Sequence, residues 1–196
     1  GQIGRMLALA ARRLGYRVHV FAPGGGSPAG AVADVEVGAG YDNEEAVRRF
    51  AKGVDVLTFE FENVPADTVR WAAEHCVVRP DATALAIAQN RIREKTFLAD
   101  GGFPVAPWAE VADVAGLAAA AEPLGFPSVL KTAESGYDGK GQRKLEKPSD
   151  LESPDRPPFP CVLEAWVPFA MEISVVLARG ADGSVAVFPV GENIHH

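Results

Sequence analysis

A chain of 196 residues that is 47% hydrophobic and 23% charged carries enough apolar material for one sizeable core or two small ones, which excludes a disordered chain. Its formal net charge of −7 argues against the broad basic face that long nucleic acid needs, and no apolar run approaches a membrane span. Two cysteines far apart in sequence, Cys76 and Cys161, read as reduced core thiols of a cytoplasmic protein rather than as a disulfide framework.

The chain opens on a glycine turn, Gly1 to Gly4, that leads into a helix with Ile3, Leu7, Ala10 and Leu14 at helical spacing and Gly15 as its stop. A strand over 17–21 follows. Such a turn normally succeeds a buried strand, and the sequence ends at His195-His196 directly after a strand-like run. We therefore expect a fragment that lacks a first strand and a later segment. Gly24 to Gly26 read as a loop. A second helix has Asp42 as its expected N-cap, Glu44 and Glu45 in the first turn, and Val47 and Phe50 facing inward. Residues 54–61 predict a strand, Pro65 opens a helix to about His75, and Val77-Val78 form a short strand. Strands alternating with helices imply a parallel, doubly wound first unit that binds ligands beyond the carboxyl ends of its strands.

After Asp81, a predicted cap, one long or broken helical stretch runs to Asp100, and Gly101-Gly102 with Pro104 and Pro107 mark a boundary between units 1–100 and 101–196. The second unit predicts a strand at 105–110, a helix at 113–124, strands at 128–132, 143–146 and 161–164, and a hairpin turning at Asp182-Gly183 between 173–178 and 185–190. That order describes an α+β unit with a largely antiparallel sheet.

Residues 136–142 place three glycines and Lys140 just beyond the apolar run that ends in Lys131. Glycines let main-chain N–H groups approach an anion, and a lysine supplies a movable positive charge. From Lys131 to Lys147 five basic residues face three acidic ones, a local charge of +2 on an acidic protein, which suits a small anionic ligand such as a nucleotide. The segment lacks the Gly-Lys-Ser/Thr ending of a P-loop. A glycine hairpin and a solvated strand-end lysine are the plain alternatives. Glu164 and Glu172 flank a proline turn at Pro168, where carboxylates suit a ribose diol and main chain near Trp166 suits an adenine edge. In Thr58 to Pro65, two-residue alternation puts Glu60 and Glu62 on one side at a strand end, a candidate substrate site. His195 and His196 have no metal-ligand spacing to His19 or His75, and no metal site is expected in this chain.

Residues 1–7 (GQIGRML), 58–65 (TFEFENVP), 89–95 (QNRIREK), the 136–142 flap and Asn193-Ile194-His195 together resemble the 5-(carboxyamino)imidazole ribonucleotide synthases, ATP-grasp enzymes of purine synthesis. The resemblance runs across nearly the whole chain. It implies a Rossmann-like pre-ATP-grasp unit followed by part of an ATP-grasp unit. It also implies ATP-dependent carboxylation of 5-aminoimidazole ribonucleotide by bicarbonate through carboxyphosphate, with Mg2+ ligands in a later segment. Nucleotide contacts carry over to Arg91, Lys131, Gly136, Tyr137, Asp138, Gly139, Lys140, Gly141, Gln142, Glu164, Ala165, Trp166, Val167, Glu172 and His195. Gln2, Glu62, Tyr137 and Asp138 carry over to the ribonucleotide. Partners are then small molecules, with no nucleic acid and no membrane, and a homodimer for the full-length protein. The 196 residues alone are expected to bind adenine nucleotide weakly and to carboxylate nothing. Two other readings stay open: an ATP-grasp ligase of the formate-dependent phosphoribosylglycinamide type, and a non-catalytic nucleotide-binding module. A nicotinamide site is opposed by Phe21-Ala22-Pro23, where an acidic residue is expected.

Overall fold

The structure, a computed structural model, describes residues 1–136 and 140–194. In the first unit, α1 (Gln2–Arg13) precedes β1 (His19–Phe21), β2 (Val35–Val37), α2 (Glu44–Ala51), β3 (Val56–Leu57), α3 (Ala66–Ala73), β4 (Val77–Val78) and α4 (Ala82–Ala88). β1 pairs with β2 and β3 with β4, both in parallel, as the alternation of strands and helices requires. β1 and β3 both line an apolar cavity of about 600 Å³ that also touches Leu7, Val47 and Phe50. Val47, Ala51, Val69, Ala72, Val78 and Leu85 form the adjoining core, with Phe21 and Tyr41 stacked at its margin.

Two expectations are corrected here, and one strand is added. The cap of α2 is Asn43, whose side chain accepts the Ala46 N–H at 3.0 Å, not Asp42. Asp42 is folded over Gly40 instead, so close that a Cβ there would lie 2.4 Å from its Oδ1. The strand expected over 54–61 shrinks to Val56–Leu57, because its partner β4 is two residues long and a ladder extends only as far as both strands. β2 is an additional strand. Its short run carries Glu36, whose carboxylate accepts the N–H groups of Gly26 and Ser27 and closes the triple-glycine loop.

The helical stretch after Asp81 is broken. Asp81 caps α4, and Asn90 starts α5 (Arg91–Asp100) by accepting the N–H groups of Ile92 and Arg93. After α5 come β5 (Trp108–Val111), α6 (Val114–Leu124), β6 (Ser128–Thr132), β7 (Gln142–Leu145) and β8 (Cys161–Ala165). These strands form an antiparallel sheet in the order β5-β8-β6-β7. One face packs Val111, Leu130, Leu145, Cys161 and Leu163 against Leu117, Ala120 and Ala121 of α6. Leu130 and Leu163 are fully buried, each worth about 1.5–3 kcal/mol relative to exposure. Burial pushes the Cys76 and Cys161 thiols up, so both stay protonated, and both are free.

The expected hairpin is divided. β10 (Leu177–Arg179) pairs with β11 (Val185–Val187) around Asp182-Gly183, while β9 (Glu172–Ser174) pairs with β12 (Gly191–Asn193). Among the described residues no helix is long and apolar enough to cross a membrane.

The Val18 N–H, with the Arg12 guanidinium beside it, holds the Asp34 carboxyl below the ordinary aspartate range. A carboxyl depressed on folding contributes stability above its unfolded value and loses it as pH falls through its folded value. Asp34→Asn is therefore less stable than wild type at neutral pH, and the gap closes below about pH 4. Thermal unfolding of both proteins across pH checks this.

Candidate functional site

The second face of the β5-β8-β6-β7 sheet differs from the first because alternation sends every other side chain to it. Val129 pairs with Glu164 and Lys131 with Val162, so Glu164 and Lys131 stand diagonally on one face, away from Leu130 and Leu163. Glu164 is 9% exposed. A carboxylate at that depth needs partners, and it has two: Lys131 Nζ lies 2.9 Å from Oε2 and Lys95 Nζ 3.2 Å from Oε1. Two ammonium groups and one carboxylate leave a formal charge of +1. At the sheet's end, the Lys144 ammonium sits 4.0 Å from the centroid of the half-exposed Trp166 ring. Ala165 and Trp166 donate their N–H groups to the Pro107 and Pro127 carbonyls, which takes those two donors away from any ligand.

α5 meets this sheet at the root of the glycine flap. The Arg91 N–H donates to Ala133 O at 2.9 Å, and its guanidinium donates to Thr132 O at 2.8 Å and Gly136 O at 2.9 Å. Asn90 Nδ2 donates to Glu134 Oε1 at 2.9 Å. One residue earlier, Gln89 Nε2 donates to the carbonyls of Glu62 and Val64. Three consecutive side chains thus tie the Glu62 loop to the flap root. A small cleft of about 100 Å³ opens between them, lined by Glu62, Asn63, Arg91, Glu94, Ser135 and Gly136.

The flap root has room only for glycine at two positions. A Cβ on Gly136 would meet Lys140 O at 2.9 Å and the Arg91 guanidinium at 3.0 Å. Gly141 has φ +72°, and a Cβ there would lie 2.6 Å from Thr132 Cγ2. Ser135 also takes a left-handed backbone, at φ 63°, which costs a non-glycine residue energy. The Thr132 N–H donates to Gly141 O at 2.8 Å and closes the base.

Lys131, Glu164 and Lys144 therefore share one sheet face, and Arg91 and Gly136 share the cleft with Glu62. Arg91 acts on main-chain carbonyls rather than projecting into open space. Gln142 pairs with Lys131 at the start of β7, and Lys140 is exposed in the turn before it. Glu172 accepts from Asn193 Nδ2 at 2.9 Å across the β9–β12 pair. Gln2 is exposed on the first turn of α1. Tyr137, Asp138, Gly139 and His195 lie outside the described residues. The expected pairing of Glu60 with Glu62 is corrected: β3 ends at Leu57, no ladder enforces alternation beyond it, and Glu60 turns to Gly4 while Glu62 faces the flap root. Sequence reasoning missed Lys95, although its i+4 spacing from Arg91 puts both on one face of α5.

Residues 1–89 match the family model for the ribonucleotide synthetase preATP-grasp domain, and residues 96–196, more than half of the chain, match that for the ATP-grasp domain. The chain belongs to the ATP-grasp family. This ATP-grasp chain is 41% identical over 198 aligned residues to the N5-carboxyaminoimidazole ribonucleotide synthase of Bacillus subtilis, covering 100% of itself and 52% of that relative. A solved ADP complex of an N5-carboxyaminoimidazole ribonucleotide synthetase is 41% identical with a TM-score of 0.92, over 100% of this chain and 52% of that one. The Aspergillus clavatus N5-carboxyaminoimidazole synthase, solved with ADP and 5-aminoimidazole ribonucleotide, is 31% identical with a TM-score of 0.84, over 100% of this chain and 52% of that one. The chain thus spans about half the length of the relatives it matches.

Gly141→Ala combines a left-handed backbone with a steric overlap, whereas Gly102, at φ +77° with nothing within 4 Å of a Cβ, has only the first. Gly102→Ala is expected to cost about 1–2 kcal/mol, and Gly141→Ala clearly more. Urea unfolding of the two variants measures the difference.

Proposed function

We propose that this chain supplies the nucleotide-binding face and part of the acceptor site of an ATP-dependent ligase that carboxylates 5-aminoimidazole ribonucleotide with bicarbonate. The observation that carries the reading is the junction at Gln89, Asn90 and Arg91, which brings an acidic loop of the first unit against the root of a glycine flap in the second. The names of the relatives and their ADP and ribonucleotide complexes support it. The division into units 1–100 and 101–196 belongs to the same proposal.

Bicarbonate is a poor electrophile. Its oxygen attacks the γ-phosphorus, the bond between that phosphorus and the bridging oxygen breaks, and ADP leaves. Carboxyphosphate then releases phosphate and carbon dioxide, and the exocyclic amine attacks the carbon and loses a proton. The chain's share of this is positioning and charge neutralisation. Lys131 and Lys140, with the N–H groups of the flap from Gly136 to Gln142, take the phosphates. Arg91 serves the nucleotide by fixing the flap root. Glu164 to Val167 line the adenine, where the Ala165 and Trp166 N–H groups are already bonded. Glu172 accepts from the ribose, and His195 completes the nucleotide set. Gln2, Glu62, Tyr137 and Asp138 face the ribonucleotide.

The resemblance also brings magnesium. The resemblance places its ligands in a later segment, and among the described residues no group of three or more His, Cys, Asp or Glu side chains could hold a metal ion. The whole protein, in this reading, is a cytoplasmic homodimer with small-molecule partners and no nucleic acid or membrane contact.

Calorimetry of the 196-residue chain is expected to give ATP binding that weakens on the order of tenfold or more in Lys131→Met. The same chain is expected to show no bicarbonate-dependent ADP release, and measurable release would contradict that. A chain extended to the length of its relatives should release ADP only with both 5-aminoimidazole ribonucleotide and bicarbonate. Release with formate and phosphoribosylglycinamide instead would assign it to the other ligase class.

A further inference from the structure

We propose that Lys95 is a positioning residue that holds the Glu164 carboxylate while a nucleotide draws Lys131 away from it. This rests on the nucleotide reading above. Glu164 is buried, and each of its oxygens has its own ammonium partner, Lys95 at 3.2 Å on Oε1 and Lys131 at 2.9 Å on Oε2. The two lysines are not equivalent. The Lys95 side chain is 13% exposed and rises from α5, a helix whose first turn is pinned by the Asn90 cap and the three Arg91 bonds. The Lys131 side chain is 26% exposed and stands at the flap end of β6. Lys95 is the built-in partner, and Lys131 is the one with room to turn.

With a single lysine, Glu164 would form a neutral pair. Moving that lysine onto a phosphate would then strand a buried carboxylate, and the cost would be subtracted from nucleotide binding. The second lysine removes this conflict. Glu164 keeps an ammonium at hydrogen-bond distance throughout, and the cluster meets the polyphosphate with its formal charge of +1. Lys95 need not touch the nucleotide. It decides whether the charge on Lys131 is available.

The test compares ATP and adenosine binding by calorimetry in wild type, Lys95→Met, Lys95→Arg, Glu164→Gln and the Lys95→Met/Glu164→Gln double variant, each first checked for a cooperative thermal transition. Lys95→Met is expected to weaken ATP binding on the order of 10- to 100-fold and leave adenosine binding within about twofold, since adenosine carries no phosphate to attract Lys131. Lys95→Arg should restore most of the loss. In the Glu164→Gln background no buried anion is left to neutralise, so adding Lys95→Met should cost ATP binding little more. Equal losses for ATP and adenosine, an undiminished penalty in the Gln background, or ATP binding unaffected by Lys95→Met would each overturn the role. If Lys95→Met fails to fold, the Arg variant and the ATP affinities of Glu164→Gln and the double variant still decide. Absence of ATP binding by the wild-type chain overturns the nucleotide reading itself, and this role with it.

Discussion

The candidate site depends on the grip of Gln89, Asn90 and Arg91 on main-chain carbonyls and one carboxylate on either side of them. Gln89 and Asn90 form the break between α4 and α5, and Arg91 is the first residue of the second helix. Gln89 reaches back to the Glu62 loop, while Asn90 and Arg91 reach forward to residues 132–136. A loop rich in glycine has carbonyls that no ladder satisfies, and a planar guanidinium can serve two of them at once, as a lysine cannot. Hydrogen bonds from a charged donor are worth about 1.5–3 kcal/mol each, enough to hold a root that Ser135 and Gly141 enter with left-handed backbones.

The sheet above that root does two jobs with one alternation. Its apolar face closes on α6 with leucines that are fully buried, and this rigid layer carries the charged face. A carboxylate such as Glu164 would be a liability in a structure built only for stability, since well-packed apolar residues usually stabilise as much as a buried ion pair. Its retention between Lys95 and Lys131 is better explained by what the cluster offers an incoming anion. The cluster also joins the two ends of the architecture: Lys95 belongs to the same helix as Arg91, so flap root and charged face are set by one rigid element.

Much of the architecture was legible because it is written in short-range chemistry. Asp81 caps the helix it was expected to cap, the helix expected over 113–124 forms with Asp113 as its cap, β6 and β8 follow their apolar runs, and the break after α4 was allowed for. Misreadings occurred where two neighbouring residues could do one job or where a strand's length depended on its partner. Asn43 replaced Asp42 as a cap, the 54–61 run kept only two ladder residues, and β2 is too short to show a period.

The site divides in the same way. The glycines and lysine of the flap and the acidic run at 58–65 could be singled out from the residues themselves, because each carries its chemistry within a few residues, whereas Arg91 came only with the family resemblance. That Glu60 and Glu62 face different cavities, that Arg91 spends its guanidinium on carbonyls, and that Lys95 shares Glu164 with Lys131 were decided only by the fold. Lys95 and Glu164 are far apart along the chain, and nothing local to either residue records the 3.2 Å that separates their charged groups.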